Sequence, residues 1–72
     1  MTRASRELAA EALTMARTQP QARAAWRCVA VALRETTTIA GARAALAEVG
    51  IIPVRDRALE LLGQLTGQET VR

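Results

Sequence analysis

The stretch PQARAAWRCVAVALRE, residues 20–35, carries the clearest helical pattern in the chain. Pro20 suits a first helical position, because the N–H that proline lacks would have no partner there. Wound at about 100° per residue, Arg23, Arg27 and Arg34 fall within a band of roughly 40°. Ala22, Ala25, Trp26, Val29, Ala32 and Leu33 take the other side. A broad apolar face opposed by one narrow basic stripe predicts a central helix with its arginines in water.

On the N-terminal side, apolar residues recur at three and four over about 4–17, with Ala4, Leu8, Ala12, Met15 and Ala16 together and Arg6, Glu7, Thr14 and Arg17 opposite. On the C-terminal side, Thr36, Thr37 and Thr38 interrupt the pattern, and each is able to cap a following helix with its hydroxyl. That third helix, about 39–49, carries small residues nearly all round, with Ala40 and Ala44, and Gly41 and Ala45, each spaced by four. Such spacing permits close approach of a neighbouring helix. Gly50 is expected to end it with a positive φ, Ile51 to fold back on the preceding turn, and Ile52, ahead of Pro53, to be extended. A fourth helix, about 54–65, sets Val54, Ala58, Leu61, Leu62 and Leu65 against Arg55, Asp56, Arg57 and Glu60, and 67–72 reads as a frayed tail. No strand alternation competes with these patterns. The reading is an all-α fold, a compact bundle of about four short helices forming one domain over residues 1–72.

A chain of 72 residues hides only about 60% of the surface its unfolded form exposes. Half of its residues are apolar, but alanine is the largest part of that share and Trp26 is the sole aromatic ring. Such a core rarely supplies more than about 3–5 kcal/mol, and small proteins add a metal, disulfides or self-association. One cysteine, Cys28, and no histidine exclude an internal disulfide and leave no cluster of soft metal ligands, so neither metal nor cofactor is expected. Self-association is the route left open. No apolar run reaches the roughly 18 residues of a membrane span, and no signal-peptide pattern opens the chain, so no membrane partner and a cytoplasmic location are expected.

The basic residues are all arginine, and the net charge of +3 sits in the first half, where six arginines face Glu7, Glu11 and Glu35. Residues 37–72 hold four of each sign. Without histidine or tyrosine the usual equipment for acid–base catalysis at neutral pH is missing. Cys28 has no base beside it in sequence and reads as a buried small hydrophobe. The carboxylate pairs Glu7 with Glu11 and Asp56 with Glu60 read as solvated helix faces, and the dispersed glycines make no phosphate-binding loop. The expectation is a protein that is not an enzyme.

Two features point to partners. Arg23 and Arg34 stand about 16 Å apart along the helix axis, a span that follows several phosphates. The plainer account is a solvated face in a lysine-free protein. Arginine stems beside Trp26 would also suit a protein interface, where both residue types carry much of the binding energy. The second feature is residues 39–65, which have the outline of a helix-turn-helix, with Arg55 and Arg57 at the start of its second helix as candidate base contacts. A plain helical hairpin accounts for the same spacing. We therefore expect a non-catalytic protein-interaction or regulatory module that binds a protein partner or itself as a homodimer. The third helix's alanines are expected to pack across the two-fold axis. The alternative is a small nucleic-acid-binding regulator using Arg23, Arg27 and Arg34.

Overall fold

The computed structural model describes residues 5–67. Positions 68–72, most of the expected tail, lie outside the described residues. Helix α1 spans Ser5–Thr18, a single 3-10 turn covers Pro20–Ala22, and α2 (Arg23–Glu35), α3 (Ile39–Ala47) and α4 (Ile52–Gly67) follow. The fold is all-α, a bundle of four short helices, with no strand among the described residues.

The bundle is organised around α2, which packs against each of the other three helices and most extensively along α1. Every residue assigned to its apolar side is buried: Ala22, Ala25, Trp26, Val29, Ala32 and Leu33. Leu8, Leu46, Leu61 and Leu62, from the three surrounding helices, complete the inner layer and are at most 1% exposed. The buried faces of α1 and α2 are largely alanine, with Ala9, Ala12 and Ala16 on one helix and Ala25, Ala30 and Ala32 on the other. Side chains this short hold helix axes at the close end of their packing range.

A single residue, Gln19, separates α1 from the 3-10 turn. Its amide N–H donates to the Met15 carbonyl at 2.9 Å, finishing α1, and its own carbonyl accepts from Ala22 N at 2.9 Å, starting the turn. Its side chain closes the corner, because Trp26 Nε1 donates to Gln19 Oε1 at 3.1 Å. The indole thereby enters the core with its polar atom satisfied, which a buried tryptophan requires.

Of the three threonines after α2, Thr38 is the cap: its Oγ1 accepts from Gly41 N at 2.9 Å. Thr36 turns back, its hydroxyl donating to the Ala32 carbonyl at 2.7 Å. A Cβ at position 41 would stand 3.0 Å from Thr38 Oγ1 and 3.3 Å from Thr36 Cβ. Glycine there lets α3 sit directly on the turn that caps it, so Gly41 serves contact within the chain and is not part of an outward small-residue face.

The α3–α4 connection differs from the sequence expectation. Glu48 N donates to the Ala45 carbonyl at 3.1 Å and Val49 N to the Leu46 carbonyl at 3.0 Å. These i to i−3 bonds occupy the last carbonyls, so no left-handed residue is needed: no described glycine has a positive φ. Ile51 does not fold back and is 64% exposed. Nor is Ile52 an extended lead-in, since α4 begins at Ile52 and Arg55 N donates to the Ile51 carbonyl at 2.8 Å. Pro53 is accommodated in the first turn, where its missing N–H costs no intrahelical bond. The helix runs through Gly63 to Gly67, two residues beyond the expected end.

Gly41 and Gly63, each inside a helix, make opposite predictions. At Gly63 an added Cβ meets nothing within 4 Å, so Gly63→Ala should stabilise the fold by about 0.5–1 kcal/mol through lower chain entropy. Gly41→Ala should lose that gain to the clash with the Thr38 cap. Urea denaturation followed by helical circular dichroism measures both, and equal stabilisation by the two substitutions would contradict the packing described.

Candidate interaction surface on the second helix

The side of α2 turned away from the core carries Arg23, Arg27 and Arg34, all exposed. Among the described residues none of the three makes an ion pair or a side-chain hydrogen bond. The arginines of α4 are in a different state. Arg55 donates from Nε and Nη2 to Asp56 Oδ1 at 3.1 and 3.0 Å. Arg57 Nη1 donates to Glu60 Oε1 at 2.8 Å. Adjacent carboxylates thus offset the charge of both candidate base contacts, while the stripe on α2 keeps its three cations unmatched.

Trp26 does not share that surface. It is 2% exposed within the core, and its one polar atom is held by Gln19. The arginine stems therefore do not form a joint platform with the indole. The sequence reading missed Val31, which is 48% exposed on the same side of the helix. It stands four residues after Arg27 and four before Glu35. That spacing, an aliphatic residue between charged ones on one ridge, is the signal by which it was findable.

Val31 borders a groove of about 310 Å³ between α2 and α3. Cys28, Val31 and Ala32 form its α2 wall, and Ala45, Leu46 and Val49 form the α3 wall. Arg27 and Glu35 are its only charged lining residues. Cys28, expected to be buried, is half-buried and forms part of this wall. The groove exists because α3 presents Ala45 where a larger side chain would fill the space. Of the two alanines expected at a two-fold axis, Ala45 lines the groove and Ala44 is exposed outside it. Val31, Arg34 and Glu35 also border a smaller hollow of about 190 Å³ on the same side.

No three His, Cys, Asp or Glu side chains gather as a metal site among the described residues. No described helix is long and apolar enough to cross a membrane. In chemical terms the surface offers apolar contact and long-range attraction for anions. No protein-family model, curated protein or solved structure matches the chain.

Because the stripe arginines are exposed and make no ion pair or side-chain hydrogen bond among the described residues, Arg23→Ala, Arg27→Ala and Arg34→Ala should each leave stability within about 0.5 kcal/mol of the parent. Trp26→Ala should cost about 3–5 kcal/mol, as much as a core of this size supplies, and leave the chain largely unfolded. Thermal unfolding separates the two classes. A large loss at any stripe arginine would place that residue in the fold and remove it from the interaction surface.

Proposed function

We propose that this chain is a non-catalytic helical module that acts by binding protein, in the first place a second copy of itself. The observation that carries the reading is the open apolar groove between α2 and α3, with Val31 standing 48% exposed beside it. Covering apolar surface is favourable by about 25 cal/mol per Å², and a chain with so slender an internal core gains proportionately more from it. Ile51 and Ile52, 64% and 50% exposed, add apolar surface at the α3–α4 turn. The polar groups that line the groove are one arginine and one glutamate at its edges. The rest of the lining is largely apolar, which supports recognition of an apolar surface. We place the protein in the cytoplasm, where a free thiol such as Cys28 stays reduced.

A second reading has its own observation. Three arginines on one helix face lack any partner within the described chain, which supports contact with a phosphate backbone. For three phosphate contacts on a duplex, log affinity should fall against log salt with a slope of about −2 to −3. Anisotropy of a labelled mixed-sequence duplex measures it, and absence of binding even at low salt removes this reading.

Self-association is tested by molar mass from light scattering over a wide range of protein concentration. The mass should rise from that of one chain towards twice that value. A single-chain mass throughout would overturn the proposal.

A further inference from the structure

Arg27, Val31 and Glu35 follow one another at intervals of four along α2 and form one ridge that reads positive, apolar, negative. Both charged residues are exposed, and among the described residues neither is engaged in an ion pair. Such a ridge complements itself when turned end for end about its middle. The position of Arg27 then coincides with that of Glu35, and the apolar centre meets its own copy. A two-fold axis imposes this reciprocity: if one residue contacts another, the reverse contact is made as well.

We propose that two copies of the chain pair through α2, antiparallel, about a two-fold axis beside Val31. The inference rests on the self-association proposed above and adds the surface, the direction and the register. Val31 packs against the partner's Val31, each beside a groove that Ala45 and Val49 leave open on the α3 side. Arg27 faces the partner's Glu35, and Glu35 faces the partner's Arg27. The two ion pairs flank the valines over a ridge of about 12 Å. Apolar burial supplies the attraction. The charges choose the arrangement, because exposed ion pairs add little affinity but like charges placed opposite one another are strongly disfavoured. A parallel pairing of the same ridges would set arginine against arginine and glutamate against glutamate.

The register makes a separate statement about sulfur. Reflection of the sequence about Val31 pairs position 28 with position 34, so the two Cys28 residues stand about 9 Å apart along the helix direction. That is beyond the reach of a disulfide, whose Cα atoms lie within about 7 Å. A cysteine at position 31 would instead lie beside the axis and face its own copy.

The experiment compares dimer dissociation constants, by analytical ultracentrifugation, for the parent chain, Arg27→Glu, Glu35→Arg and the double variant carrying both. All changes are on exposed positions, and circular dichroism confirms that each chain is folded. Each single reversal places like charges opposite one another and should weaken the dimer by about tenfold or more, whereas the double variant should recover to within about threefold of the parent. Under mild oxidation, Val31→Cys in a Cys28→Ser background should form a disulfide dimer, and the parent chain should not. A parent that remains a single chain would overturn both the self-association and this inference. A dimer indifferent to the single reversals, or cross-linked through Ala44→Cys in a Cys28→Ser background in preference to position 31, would leave self-association standing and overturn the α2 pairing.

Discussion

Every other helix of this protein leans on one surface, the apolar side of α2. Trp26, Val29 and Leu33 fill the centre of that surface and are buried to within 2%. The single aromatic ring of the chain is therefore its chief spacer, supplying volume that alanine cannot. The indole is tolerable there because Gln19, at the corner between α1 and the 3-10 turn, accepts its N–H. One hydrogen bond thus couples the local turn chemistry to the global packing. Without it, a polar atom would be buried unmatched, at a cost of about 1–3 kcal/mol against a stability of similar size.

The consequence reaches the opposite side of the same helix. Because α2 gives one whole side to three neighbours, its outward residues stand on the helix with the most extensive packing in the bundle. Arg23, Arg27, Val31 and Arg34 are presented from a helix anchored along its length, and such a support fixes their spacing better than a loop would. The alanines that allow α1 to approach α2 so closely have the reverse effect on α3. There Ala45 is too small to fill the angle between the helices, and a groove remains beside Val31. Close packing on one flank and an open cleft on the other both follow from the abundance of alanine.

This division also explains which features were legible in the sequence. The four helices were, because apolar recurrence at three and four residues marks α1, α2 and α4 and the threonines and Gly50 bracket α3, and all six residues assigned to the inner side of residues 20–35 are indeed buried. The ends of α3 and α4 were not. Gly50 and Ile52–Pro53 carry the ordinary signs of a left-handed cap and an extended lead-in, yet two i to i−3 bonds satisfy the carbonyls first and the proline fits into the first turn. Competition among hydrogen bonds decides such ends, and composition does not reveal the winner. The groove was hidden for another reason. It is made by residues from two helices, and only the angle between those helices sets its walls. Val31, by contrast, is legible in the sequence, an aliphatic residue spaced by four from both Arg27 and Glu35 on one ridge.

The state of the charges is the last link between fold and function. An arginine with a carboxylate one turn away, such as Arg57 beside Glu60, presents little net field to a distant partner. On α4 both cations are neutralised in this way within their own helix. On α2, Arg34 and Glu35 are neighbours in sequence, and Arg27 stands eight residues before Glu35, about 12 Å along the axis. Neither arginine pairs with the glutamate inside one chain. The face where exposed valine and the open groove lie thus keeps its opposite charges unpaired within the described chain. A ridge whose opposite charges stand about 12 Å apart along the axis is directional in a way that an apolar groove alone is not. Burial rewards many arrangements of two such surfaces nearly equally, and the unmatched charges at its two ends single out one.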